Sequence, residues 1–391
     1  MRILFLSQLL PLPLDAGPKV RSYYTLRYLV EAGHEVTLAS FRRPSDTDEA
    51  VHELSAFCTS VETVRLDRTL ARDAFIGFRS LLTRRPFLIE RDCFSAMHAL
   101  LARLCRSRQF DAVHADQLWM APYASRCEIQ GPRILDQHNA VFLAARRMGE
   151  NGGNPLTRTL FRNEATKLER YERSACAAFD KVVWVSDVDR SALRDRSRDD
   201  QVIPIATDPQ KYARASRERK FRILFLGGMH WPPNAEGVRW FAETVWPRIA
   251  QRDSSAVFTV VGKRPPAELR NLGPGDRVEA TGYVEDIQPY LDETAVFVVP
   301  LLSGAGMRVK ILDAWCGALP VVSTTLGAEG IETRNGEDIL LGDSPEEFAD
   351  AVLRVLSDQR LAGRIGEGGR STVERLYDWR KVYRAWGNIY H

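Results

Sequence analysis

The pentapeptide Arg2-Ile-Leu-Phe-Leu6 recurs unchanged as Arg222-Ile-Leu-Phe-Leu226, and each copy is a short apolar run that passes straight into loop residues. Runs of this kind are typical of strands buried on both faces of a parallel sheet. The two copies open segments of similar size, so the chain reads as two α/β domains, each starting on a central strand. A length of 391 residues agrees, being long for one hydrophobic core.

The residues after each copy extend the pattern. The loop SQLLPLPLDAGPKV is followed by a helical stretch over 21–32 that Gly33 stops, then by a strand over 34–40, which makes a βαβ unit. Further strands are expected at 61–66, 112–114, 134–136 and 181–186, with helical segments between them. The second half repeats this style. Its strands are expected at 223–227, 257–262, 278–283, 296–300 and 320–324, with helices near 235–252 and from about residue 309. Such alternation implies two doubly wound, Rossmann-like α/β domains. The polar segment 208–220 suits a linker, which places the domains at 1–207 and 208–375. Helices are expected over 345–356 and 359–377. The aromatic-rich end WRKVYRAWGNIY is too apolar for a loose tail, so residues 376–391 are expected to form a helix that packs back on the first domain.

Composition narrows the function classes. A net charge of +3 gives no global field for nucleic acid. Cys58, Cys93, Cys105, Cys127, Cys176 and Cys316 lack zinc-ligand or disulfide-framework spacing, and reduced thiols point to the cytoplasm. The opening MRILFLSQLLPLPL carries one basic residue, two early prolines and no small-residue cleavage site, so it reads as a strand and loop rather than a signal peptide. No apolar run approaches the roughly 20 residues of a membrane-spanning helix. The expectation is a soluble or peripheral protein, cytoplasmic or on the inner face of the membrane.

The strongest chemical signal is GAGMRVKILDAWCGALPVVST, over 304–324, where a Gly-rich loop leads into a helix that ends before a strand. Glycines let a phosphate approach the backbone, the helix start offers N–H groups, and Arg308 and Lys310 add positive charge. Asp313, further along the helix, lies within reach of the hydroxyls of an attached ribose.

This run resembles the second-domain signature of family 4 glycosyltransferases, retaining enzymes of the two-domain GT-B fold. The matching residues are Gly304-Ala-Gly306, Ile311-Leu-Asp-Ala314 and Gly317-Ala-Leu-Pro-Val-Val322. The resemblance implies two Rossmann-like domains facing a cleft, the first on the acceptor side and the second binding a nucleotide-diphosphate sugar. The expected donor is a UDP- or GDP-sugar, which is a substrate, so no cofactor is expected. Two departures stand out. The family pattern has two glutamates separated by seven residues. Here Ala305 takes the first position and the shorter acid Asp313 the second, while the loop GGMHWPPN lacks the basic residue many relatives carry. Arg308 and Lys310 must then supply the charge for the diphosphate.

Other family positions carry over one at a time. Gly227 and Gly228 end the first strand of the second domain with N–H groups able to face the diphosphate. Gly262, with Lys263 and Arg264, borders the nucleotide. Val284 is the expected base contact, and Gly17 faces the reacting sugar, with Arg21 in the helix behind it. His114 and Asp116 stand where many relatives have His-x-His, and His138 ends a neighbouring strand. His138 and Asp116 are the pair expected to line the sugar and acceptor. No Asp-x-Asp is read as a metal clamp, so positive side chains are expected in place of a metal.

In the segment 72–87, Phe75, Ile76, Phe78, Leu81 and Leu82 interleave with Arg72, Arg79, Arg84 and Arg85. A helix of this kind suits an anionic membrane surface, and a glycan or lipid-linked acceptor is expected. Two readings compete: a sugar-nucleotide epimerase, and a non-catalytic nucleotide-sugar-binding partner subunit, which the loss of the acid at 305 favours. An oxidoreductase lacks its G-x-G-x-x-G after either early strand.

Overall fold

The computed structural model of the protein describes residues 1–151, 154–193, 200–214, 221–266, 269 and 277–390. The chain forms two compact units. One comprises Met1–Ala206, Ala305–Met307 and Trp379–His391, and the other Thr207–Gly304 and Arg308–Asp378. The linker expected over 208–220 is described as far as Arg214, and 215–220 lies outside the described residues.

In the first unit the described strands are β1 Arg2–Ser7, β2 Glu35–Arg42, β3 Ser60–Arg65, β4 Ala112–Asp116, β5 Arg133–Gln137, β6 Lys181–Trp184 and β7 Gln201–Val202. They form one parallel sheet in the order β3-β2-β1-β4-β5-β6-β7. Ile3, Leu4, Phe5 and Leu6 have no solvent exposure, as expected for a central strand covered on both faces. The first helix, Gly17–Glu31, begins a turn earlier than its apolar spacing indicates, because Pro18 sits in the first turn, where a missing N–H costs nothing.

The second unit repeats the plan with β8 Arg222–Leu226, β9 Val257–Val261, β10 Val278–Gly282, β11 Thr294–Val299, β12 Val321–Ser323 and β13 Leu340–Leu341. Their order is β10-β9-β8-β11-β12-β13, again parallel. The two RILFL copies are therefore equivalent. Each pairs with its sequence neighbour on one side and with a later strand on the other, at the point where strand order reverses. Ligands of open α/β sheets gather beyond the carboxyl ends of strands at such switch points.

The aromatic C-terminal segment belongs to the first unit. It forms short helical turns, Trp379–Val382, Tyr383–Trp386 and Gly387–Tyr390, rather than one helix. Trp379 stacks on Tyr24 at 5.3 Å, Trp386 is wholly buried, and the Tyr390 hydroxyl lies 2.7 Å from His114 Nδ1. Among the described residues no helix is long and apolar enough to cross a membrane.

Candidate active site

In the second unit, β8 ends at Leu226 and the chain turns through Gly227 and Gly228 into the helix Pro232–Trp240. Close approach makes glycine necessary here. A Cβ on Gly227 would lie 2.7 Å from Lys310 Nζ, and one on Gly262 would lie 1.9 Å from the Gly227 carbonyl oxygen. Asn234 ties the turn together: its Nδ2 donates to the Gly228 carbonyl at 2.9 Å, and its Oδ1 accepts from Lys310 Nζ at 2.9 Å. Lys310 sits in the first turn of the helix Val309–Cys316, with its Nζ 4.2 Å from the Phe225 ring centroid. Lys310 as a residue is half-buried. Burial, with Arg308 as a second cause, lowers its pKa to about 7. A buried cation depressed in this way lacks an adequate counter-charge, and a phosphate supplies one.

Arg308 is buried and precedes the same helix, and a Cβ on Gly304 (φ +106°) would come 3.2 Å from its Nη2. The Ser303 hydroxyl donates to Glu236. The structure thus brings together Gly227, Gly228, Gly304, Arg308 and Lys310 beyond the ends of β8 and β11. Asp313 lies one turn further on, paired with Lys211 at 3.3 Å. Gly262 follows β9 and donates its N–H to the Gly282 carbonyl at 2.8 Å, while Val284 is half-buried just past β10. Lys263 Nζ lies over the Tyr283 ring.

In the first unit the carboxyl ends of β1, β4 and β5 carry a buried polar network. Arg21, on the first helix, is wholly buried. Its guanidinium binds Asp136 with both forks, at 2.6–2.9 Å, and donates to the Ile203 carbonyl at 2.7 Å. Burial alone would raise the Asp136 carboxyl, but Arg21, His114 and His138 hold it well below the usual carboxylate range. His138 Nε2 lies 2.9 Å from Asp116 and 3.5 Å from Asp136. Burial opposes its charge, but those two carboxylates prevail and lift its pKa to about 9. His138 is therefore an imidazolium at neutral pH, a donor and not a base.

The structure revises the readings of the first-domain residues. Asp116 is 1% exposed and accepts from Ser7, Ser22 and His138, so its carboxylate is committed to the protein interior. His114 is wholly buried, stacked on Phe5 at 4.3 Å and bonded to Tyr390. It supports the C-terminal segment and does not face solvent. His114, Asp116 and Asp136 approach closely enough to share a cation. However, Arg21, the two serines and His138 already satisfy the two carboxylates. Gly17 is half-buried at the start of the first helix. Ala305–Met307 also pack within this unit, and a Cβ on Gly306 (φ +79°) would sit 2.9 Å from the His138 carbonyl oxygen.

Two Asp-x-Asp triplets do occur, and both do structural work. Asp46 accepts from the Arg43 N–H and Asp48 pairs with Arg42, while Asp189 accepts from the Ala140 N–H and Asp187 pairs with Arg190.

Sequence reasoning missed three residues. Arg21 was placed only behind the loop, Asn234 was not singled out, and Gln117 carries no motif. Gln117 has φ +74° and ψ 156°, a region that costs a non-glycine residue about 1–3 kcal/mol. Its N–H bonds the Asp136 carbonyl at 2.9 Å and its amide lies 3.2 Å from His138 Nδ1. Backbone strain of this kind has no sequence signal.

Comparison with known proteins places this geometry. The family described as Glycosyltransferase Family 4 matches residues 17–211, and Glycosyl transferases group 1 matches 220–358. An uncharacterized 44.6 kDa protein in the cps region of Klebsiella pneumoniae is 21% identical over 98% of both chains. The lipopolysaccharide core biosynthesis glycosyltransferase LpsE of Rhizobium meliloti (strain 1021) is 33% identical over 26% of this chain and 31% of its own length. Sucrose-phosphate synthase from Thermosynechococcus elongatus superposes with a TM-score of 0.71 at 18% identity, over 100% of this chain and 98% of that one. Anabaena Alr3699/HepE, in complex with UDP and glucose, gives 0.68 at 14% identity, over 100% of this chain and 99% of its own. The chain belongs to the GT-B glycosyltransferases of the family 4-like group.

Proposed function

We propose that this chain transfers a sugar, with net retention at the anomeric carbon, from a UDP- or GDP-sugar to a glycan or lipid-linked acceptor in cell-envelope or exopolysaccharide synthesis. The observation that carries the reading is the half-buried Lys310, whose ammonium is held by Asn234 beside Gly227 and Arg308 at the β8/β11 switch point. Related proteins support the rest. LpsE is named for lipopolysaccharide core synthesis, the Klebsiella protein for a cps region, and HepE is in complex with UDP and glucose.

Transfer breaks the bond from the anomeric carbon to the diphosphate oxygen and forms one to an acceptor hydroxyl oxygen. The hydroxyl proton passes to the departing diphosphate. Negative charge grows on that phosphate, and pre-placed cations and N–H groups stabilise it without reorganising. Lys310, Arg308 and the Gly227–Gly228 backbone take that role, so this reading needs no metal ion. Asp313 serves the ribose and Val284 the base. His138 adds fixed positive charge in the first unit. The exposed apolar face of the helix Leu70–Leu82 supports peripheral attachment to the inner face of the membrane.

Titration calorimetry with UDP and GDP tests the donor site. Lys310→Met should weaken the preferred nucleotide about 10- to 100-fold, and unchanged affinity would overturn the assignment. Ala305 favours a second reading, a non-catalytic nucleotide-sugar-binding subunit. Release of sugar from the donor by purified protein would exclude it.

A further inference from the structure

His230 stands on the turn between β8 and the helix Pro232–Trp240, and its imidazole folds back onto Gly228. The turn is fixed at both ends. The Trp231 N–H donates to the Gly228 carbonyl at 3.2 Å, which closes a β-turn with His230 as its third residue, and the Asn234 amide donates to the same carbonyl at 2.9 Å. The Met229 N–H donates to the Lys263 carbonyl at 2.8 Å and ties the turn to the loop after β9. A Cβ built on Gly228 would meet the ring at Cε1 and lie 2.7 Å from Nδ1. The imidazole therefore takes the space into which a side chain on residue 228 would project.

What flanks the glycine pair gives this position its meaning. A Cβ on Gly227 would lie 2.7 Å from Lys310 Nζ and 2.8 Å from Asn234 Nδ2, so a cation stands against one glycine and the imidazole against the next. Consecutive Cα atoms are about 3.8 Å apart, and both groups thus border one short stretch of backbone. Among the described residues the Gly228 N–H makes no hydrogen bond. His230 is exposed, so its ring is open to a ligand arriving at the loop. In the run GGMHWPPN it is also the one residue able to carry positive charge.

We propose that His230 is a further ligand of the donor diphosphate, standing in for the basic side chain that this loop lacks. The proposal rests on the reading above that the β8/β11 edge holds a nucleotide-diphosphate sugar. A phosphate oxygen that accepts from the Gly228 N–H sits beside the imidazole, and a diphosphate has the length to engage Lys310 and His230 along the glycine pair. A neutral imidazole donates one N–H to such an oxygen, and an imidazolium donates two and adds charge, so the role does not depend on one protonation state. No proton is transferred. As negative charge grows on the departing phosphate, the bond from the ring strengthens, and the bonded turn has already fixed the backbone that presents it. Glycine at 228 follows from the same geometry, because a side chain there would displace the ring.

Calorimetry of the full chain with UDP, GDP and inorganic pyrophosphate tests the assignment. His230→Ala should weaken the preferred nucleotide and pyrophosphate alike by about tenfold, as for loss of one hydrogen bond to a charged group, and His230→Arg should recover most of that loss. A side chain that only packs on the loop would not be replaced by arginine, so the recovery separates a ligand from a packing role. An unchanged thermal midpoint in both variants marks them as folded. In parent protein carrying isotope-labelled histidine, the Cε1 resonance that His230→Ala removes should move when pyrophosphate is added. A resonance that stays in place at saturating UDP, or equal affinities of the parent and His230→Ala, would overturn the proposal. If the parent binds neither UDP nor GDP, the donor reading falls and His230 with it. If Lys310→Met weakens binding and His230→Ala does not, the donor reading stands and His230 alone is excluded.

Discussion

At the scale of single residues, two shifted groups decide what each unit can do. Asp116 and Asp136 favour the charged form of His138, so the histidine expected to line the sugar and acceptor offers a proton and a charge. Lys310 is the reverse case. Its pKa near 7 means that much of it is neutral above neutral pH until an anion arrives. A diphosphate bound beside it raises that pKa, so binding at pH 8 should take up roughly one proton. Affinity should then be full below about pH 7 and fall as pH rises through the pKa of the complex. Calorimetry of UDP in buffers of different ionisation enthalpy measures the uptake. Lys310→Met should remove it, and uptake that persists in the variant would assign the proton elsewhere.

At the scale of elements, the helix Leu70–Leu82 shows how tertiary contacts re-sort a sequence pattern. Its arginines and apolar residues interleave, which reads as a basic face beside a greasy one. In the fold, Arg72 turns inward onto the 91–93 carbonyls and the Phe94 ring, and Arg79 onto Glu90, while Ile76 and Ser80 face the core. What remains outside is a stripe of Ala71, Ala74, Phe75, Phe78, Leu81 and Leu82, with Phe75 at 64% and Phe78 at 63% exposure. The Thr69 side chain caps the helix start and Lys167 donates to Ser80 from the neighbouring helix Pro155–Ala177, so the stripe is presented on a fixed element. Burying each phenylalanine in a bilayer is worth about 1.5–3 kcal/mol. Phe75→Ser with Phe78→Ser should therefore lower partitioning onto anionic vesicles by roughly a hundredfold. Sedimentation with vesicles reads this directly, and equal sedimentation of parent and variant would remove the helix from any membrane role.

At the scale of the whole molecule, the first unit is completed by residues far along the chain. Trp386 lies 5.3 Å from both the His114 ring and the Arg21 guanidinium, and the Tyr383 hydroxyl accepts from the Ala206 N–H at 3.2 Å. The buried Arg21–Asp136 pair thus depends on an aromatic lid supplied by the last dozen residues. Trp386→Ala should destabilise the first unit by about 3–5 kcal/mol, as for other large core deletions. Thermal unfolding followed by circular dichroism should show a clear drop in midpoint, and a midpoint within a degree of the parent would mean that the segment is not structural. Much of this architecture was legible in advance. The RILFL repeat and the alternation of strand and helix identify two Rossmann-like units, and the Gly-rich run at 304–324 marks the candidate donor edge, because buried parallel strands and close backbone approach leave local marks in composition. The grouping of Arg21 with Asp136, the strain at Gln117 and the bridge through Asn234 left no such mark. Each joins residues separated in sequence and tied only through strand order. The local sequence determined the elements and the glycines that phosphate chemistry requires. The shifted protonation of His138 and Lys310 was decided by tertiary structure alone, because burial and charge proximity are properties of the folded neighbourhood.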